Sequence, residues 1–171
     1  MHKKSLVVLI MLIGSIVSTA CSNSSEETAS KEKNATKKEH QQHSENISRD
    51  IKEETASNEV LPEFLNDKSE EMQTIYANAA QNKELLENIP CYCGCGESAG
   101  HRNNYDGFIH ENIRDGKVIW DDHGTKCGVC LEIAAQSVSD LESGKSIKQI
   151  RQSIDEKYKS GYAKPTPTPE L

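Results

Sequence analysis

Five of the six cysteines of this chain fall between positions 91 and 130, in two tight groups. The first reads Cys91-Tyr92-Cys93-Gly94-Cys95-Gly96 and the second Cys127-Gly128-Val129-Cys130. In extended backbone, residues 91, 93 and 95 project to one side because side chains alternate with period two. Gly94 and Gly96 let the chain bend there, so the three sulfurs can converge on a point. Cys127 and Cys130 stand three apart at an expected helix start and share a face. The positive end of that helix favours thiolate at both.

Parity sharpens the reading. With Cys21 set apart as a lipidation site, five thiols cannot pair completely. A disulfide framework then leaves one of them free, whereas a metal ion accommodates any number. Soft thiolates select Cu(I), Zn(II) or iron–sulfur clusters, and imidazole can complete the shell. Closely spaced Cys-x-Cys pairs suit the low coordination numbers of Cu(I), while Zn(II) takes four ligands in a tetrahedron. His101 and His123 flank the two cysteine groups and are candidates as ligands or as partners that orient them. The metal-ligand set expected is therefore Cys91, Cys93, Cys95, Cys127, Cys130, His101 and His123. His110 falls in a β-favouring run and reads as a structural histidine. Asp121 and Asp122 either orient an imidazole or form a solvated acidic turn.

The N-terminus has a different character. His2, Lys3 and Lys4 precede an apolar run from Leu6 to Val17 that is too short to span a bilayer. Ser18-Thr19-Ala20-Cys21 follows, and it resembles the lipobox of bacterial lipoproteins, with Ser18 where Leu is usual. The resemblance implies a signal peptide over 1–20, acylation of Cys21 and a lipid-anchored location on the extracytoplasmic membrane face. Two or more acyl chains suffice for stable anchoring. Residues 22–59 mix charges of both signs and contain no aromatic residue. They cannot offset their ordering entropy by burial, so 21–60 reads as a lipidated end and disordered tether. Its reach would be roughly 35 Å root-mean-square. His40 and His43 within it read as solvated.

Folded material is expected over 61–162. Met72, Ile75, Tyr76 and Ala79 lie on one helical face behind the caps of Asp67 to Ser69, and a short piece with Leu85, Leu86 and Ile89 ends at Pro90. A second helix is predicted from Lys126 to Ser143, with Leu131, Ala134, Ala135, Val138 and Leu141 as its stripe and Gly144 closing it. Ser146 and Gln149 form a capping-box pair for a third helix carrying Ile147, Ile150, Ile154 and Tyr158. Phe108-Ile109 and Val118-Ile119-Trp120 flank Asp115-Gly116, a tight-turn dipeptide, and suggest a hairpin. The fold class expected is mainly α: about three helices with a Cys/His-rich loop or hairpin inserted between helices 1 and 2. Residues 163–171 alternate Pro and Thr and read as an extended polyproline-like tail.

Net charge −7 argues against a nucleic-acid partner, which needs a basic patch. No apolar run reaches the ~20 residues of a spanning helix, which excludes a polytopic membrane protein. There is no nucleophile elbow, phosphate loop or HExxH motif, so the sequence points to binding ahead of catalysis.

Pro90 followed by CYCGCGESAGH, and later WDDHGTKCGVC, resembles the family of bacterial lipoproteins named for its PCYCGC motif. Pro90, Cys91, Tyr92, Cys93, Gly94 and Cys95 match that motif letter for letter. Trp120, His123, Cys127 and Cys130 also fall where members have them. Many members carry a further cysteine near position 107, where this chain has Gly107. The resemblance implies a lipid-anchored protein without a defined activity. The stretch Cys127 to Tyr158 is also similar, more distantly, to thiol-reductase subunits of cytochrome c maturation. Three function classes follow. The first is a metal-binding lipoprotein that sequesters or delivers Cu(I) or Zn(II). The second is a thiol–disulfide oxidoreductase using Cys127 and Cys130, and the third a disulfide-stapled interaction module.

Overall fold

A computed structural model describes residues 50–171. The expected leader, Cys21, His40 and His43 lie outside the described residues. At Asp115-Gly116 both residues take positive φ (67° and 84°), the requirement of the tightest hairpin turns. Ile113 N–H donates to Lys117 O across that turn. The hairpin it closes pairs β2 (Ile109–Asn112) antiparallel with β3 (Val118–Asp121), with a register irregularity between Ile109 and Glu111.

The hairpin is not alone. Lys52–Thr55 forms a strand, β1, on the other edge of β3, with Glu53 opposite Trp120 and Thr55 opposite Val118. The sheet order is β1-β3-β2. This corrects two expectations: folded structure begins by Asp50 rather than Leu61, and the fold mixes helices with a three-stranded sheet rather than being mainly helical. The sequence KEET hides the strand because only Thr55 turns a side chain inward. What holds β1 is backbone pairing and one buried bond, from Trp120 Nε1–H to Thr55 Oγ1 at 2.8 Å. Charged residues suit such an edge, since they discourage further pairing. Glu53 has a second role there, accepting from the N–H groups of Glu63 and Phe64 at the start of a short 3-10 turn.

The helices follow the spacing of the sequence closely. Here α1 is Glu70–Gln81, capped by Ser69 through Met72 N–H, and α2 is Lys83–Glu87. After a short α3 (Gly96–Ala99), the long α4 runs Gly128–Glu142 and α5 runs Ile147–Tyr158. The Ser146–Gln149 capping box is formed in both directions. The central element is α4, which packs against α1, α2 and α5. Its buried face comprises Cys130, Ile133, Ala134, Ser137 and Val138, whereas Ala135, expected in the stripe, is exposed. The helix starts at Gly128, so the stripe is centred one position earlier than the apolar residues alone suggest. Among the described residues no helix is long and apolar enough to cross a membrane.

The Pro/Thr tail also departs from expectation. It is extended, yet it lies across the PCYCGC loop. Ala163 N–H donates to Tyr92 O, Thr166 N–H donates to Cys91 O, and Cys91 N–H donates to Thr166 Oγ1 at 2.9 Å. Proline lacks an N–H, but in the PTPTP run each intervening Thr keeps one and adds a hydroxyl. Further on, Arg151 Nη1 donates to Thr168 Oγ1 and Lys148 Nζ to the Leu171 carbonyl oxygen.

Sheet and helices meet at Tyr76, Phe108 and Trp120, all fully buried, with Tyr76 edge-on to Phe108 at 5.0 Å between centroids. Gly124 packs directly onto this cluster. A Cβ there would stand 2.8 Å from the Tyr76 hydroxyl and 2.9 Å from the Phe108 ring. Neither neighbour can move without disturbing the core. Gly124→Ala is expected to lower the unfolding free energy by about 1–3 kcal/mol, read as a reduced denaturant midpoint at unchanged slope.

Candidate metal centre

Three local structures aim side chains at one volume. In the PCYCGC loop, Gly94 takes φ +80°, so the chain doubles back and Cys95 N–H donates to Cys93 Sγ at 3.2 Å. At the start of α4, Cys127 is the N-cap and its Sγ accepts from Cys130 N–H at 3.3 Å. Between them, the 3-10 turn Asp122–Lys126 carries His123 at the end of β3. A backbone N–H thus donates to the sulfur of each of Cys93 and Cys127.

Ligand atoms of Cys93, His123, Cys127 and Cys130 all lie within 4.8 Å of one another. A tetrahedral ion with bonds of about 2.0–2.3 Å has ligand–ligand edges of roughly 3.3–3.8 Å, so a small contraction closes the set. Cys91 stands beside it, with Sγ 3.1 Å from Cys93 Sγ and 3.4 Å from Cys130 Sγ. All five described cysteines are free thiols. Cys95 is outside the close set; its Sγ sits 4.0 Å from Cys93 O, half-buried. His101 packs edge-on against His123, 4.5 Å between ring centroids, and its buried Nδ1 has no hydrogen-bond partner. His110 lies exposed on β2, next to Lys52.

The acid that orients His123 comes from an unexpected quarter. Asp50 Oδ2 is 3.1 Å from His123 Nδ1. Burial raises the Asp50 carboxyl, but His123 and Lys126 outweigh it and hold it below its usual range. As a carboxylate Asp50 only accepts, so Nδ1 carries a proton and Nε2 is the nitrogen that faces the sulfurs. That nitrogen is buried, on a residue 8% exposed, and has no hydrogen-bond partner. A carboxylate behind a ligating imidazole is a recurrent arrangement in metal sites. Asp121 and Asp122, by contrast, hold backbone. Asp121 accepts from His123 N–H, and Asp122 accepts from Ile51 N–H and Lys126 Nζ. Asn104, fully buried, donates from Nδ2 to the Cys130 carbonyl oxygen and ties the loop after α3 to α4. Sequence reading passed over Asp50 and Asn104, since neither stands in a motif and Asp50 is one acid in a charged run.

Without a metal the cluster shares its protons unevenly. Hydrogen bonds from Cys127, Cys130 and Cys91 hold the Cys93 thiol far below its usual range. Their counterpart is Cys130, which Cys127, Cys91 and Cys93 push up. Cys91 is drawn down by Cys130 but pushed up more by Cys93 and by burial, to about 12. The sulfurs of Cys127 and Cys93, with help from Asp50, raise His123 to about 11 against its burial. Burial, and then the charge of His123, lowers His101. A bound cation would do the work these shared protons now do.

A small sheet-backed helical protein with a buried Cys/His cluster that could hold a metal ion is the class defined by fold and site. The chain belongs to a family whose model, described as a protein of unknown function with PCYCGC motif, matches residues 9–171. Comparison with curated proteins and with solved structures gives no match.

Gly107, where many family members are expected to carry cysteine, lies against the site. A Cβ placed on it would stand 3.9 Å from Cys130 Sγ and 4.0 Å from Cys130 Cβ. Disulfides span Cβ separations of about 3.5–4.5 Å. Gly107→Cys is therefore expected to cross-link to Cys130 on mild oxidation, seen as a 107–130 linkage in peptide mass mapping. Cross-links from the introduced thiol only to cysteines other than Cys130 would contradict the geometry.

Proposed function

We propose that this chain is a lipid-anchored, soft-metal-binding protein of the extracytoplasmic membrane face. It holds Zn(II) or Cu(I) through Cys93, His123, Cys127 and Cys130, for sequestration or delivery. The observation that carries the metal reading is the buried, unpartnered Nε2 of His123 with three sulfurs inside ligand reach. Three thiolates and one imidazole suit tetrahedral Zn(II). The additional Cys91 sulfur beside Cys93 and Cys130 suits a thiolate-rich Cu(I) site. Support for the anchor comes from the sequence: the apolar run Leu6–Val17 and the small residues before Cys21.

Bound to such an ion, the thiols lose their protons and the folded cluster gains free energy on the order of 10 kcal/mol. Full chain purified anaerobically is expected to retain about one equivalent of metal, and Co(II) in its place to give sulfur-to-metal charge-transfer absorption. Cys93→Ser and Cys127→Ser should abolish that signal, and Asp50→Asn should weaken affinity by about 10–100-fold. A metal-free chain with a reversible disulfide would favour the second reading, thiol–disulfide exchange through Cys127 and Cys130. Its support is the placement of Cys127 and Cys130 three residues apart at the start of α4.

The anchor is tested separately. Cys21→Ser is expected to move the chain out of the membrane fraction or to leave its leader uncleaved. Unchanged retention together with unchanged processing would remove lipidation from the reading.

A further inference from the structure

Two cavities border the cluster, and the C-terminal tail lines only one of them. The C-terminal segment forms one wall of a cavity of about 530 Å³ whose other wall includes Cys91 and His101. A second cavity, about 590 Å³, reaches Cys93, His123 and Cys127, and no residue of the tail lines it. A water molecule's share of liquid volume is about 30 Å³, so this space admits a side chain or a small thiol with its solvent. His123, nine-tenths buried with its unpartnered Nε2, lines it, as does Cys95. Cys91 and Cys130 do not. Each sulfur lining the open cavity is thus either in the close ligand set or is that of Cys95.

Cys95 is held differently from its neighbours. Its thiol approaches Cys93 O at 4.0 Å, and it follows Gly94, a residue in the left-handed region. A soft ion moves between thiolate sites by exchange of one sulfur for another, which requires a donor that reaches outward before the final ligands close.

We propose that Cys95 is the transfer ligand of this site: it takes a soft ion from a thiolate-bearing carrier at the open cavity and passes it to Cys93 and Cys127. This rests on the metal-binding reading above. In the first exchange a carrier sulfur–metal bond breaks as the Cys95 sulfur–metal bond forms, and the Cys95 proton passes to the departing carrier thiolate. In the second, that bond breaks as the bonds to Cys93 and Cys127 form, and the departing Cys95 sulfur takes up a proton that the closing set releases. No electrons change hands.

The test is stopped-flow loading of the reduced full chain with Cu(I) supplied in two forms: as its glutathione complex, and on a Cys-x-x-Cys peptide. A sulfur two residues from Cys93 acts at an effective concentration far above that of free thiol, so Cys95→Ser should slow loading by about tenfold or more. Equilibrium affinity should shift by less than about threefold, since Cys95 is outside the final set. Cys95→His, which restores a borderline donor, should recover part of the rate. Slowing with the peptide alone assigns the cavity to a protein carrier, and slowing with both assigns it to thiolate complexes in general. A Cys95→Ser chain that loads at the unaltered rate overturns the proposal. So does one that loses affinity as Cys93→Ser does, because Cys95 would then be a resident ligand. A native chain that takes up no soft ion overturns the metal reading itself, a result distinct from the other two, in which the native chain loads normally.

Discussion

The hydroxyl of Tyr76, buried in α1, donates to Asp121 O at 2.9 Å and accepts from Thr125 N–H at 3.1 Å. One helix side chain thereby fixes both ends of the turn that carries His123. Burial pushes the Tyr76 phenol far above its usual range, so the hydroxyl keeps its proton and both bonds persist. Gly124 leaves room for that contact, and Phe108 and Trp120 wall it in. The imidazole is therefore located by the hydrophobic core, and its angle by Asp50. A donor set held in this way is organised before any ion arrives, and binding need not supply the free energy of arranging it.

The parts of the fold legible in the sequence are those with local causes. Ser69, Ser146 and Gln149 cap helices because their side chains satisfy backbone donors within three residues. Asp115-Gly116 turns the hairpin because both positions need positive φ. The convergence of Cys93, Cys127 and Cys130 was legible too, from period and spacing. What escaped depends on distant partners. β1 exists because β3 offers it an edge and Trp120 offers Thr55 a buried N–H. Asp50 reaches His123 across 73 residues of chain, and nothing near Asp50 marks it among its charged neighbours. Thr166 of the tail bonds to a loop 75 positions away. Composition describes such segments as solvated because it counts side chains, while their order comes from partners far along the chain.

The environment of Cys130 sets the chemistry available to the cluster. It is fully buried, shares its proton with neighbouring sulfurs and has Gly107 beside it. With glycine there, the Cys130 sulfur has no bonding partner from that side and is left to the set formed with Cys93, His123 and Cys127. A cysteine in that place would compete for it.

The seating of Ala163 and Thr166 on Cys91 and Tyr92 has a consequence for how the site comes into being. A polypeptide is made from its N-terminus, so all five cysteines are present before the residues that cover Cys91 have been added. Until those residues are in place, the N–H and carbonyl of Cys91 lack the partners that Thr166 gives them. The loop that carries Cys91, Cys93 and Cys95 is therefore fastened last, by residues made after every sulfur it helps to position.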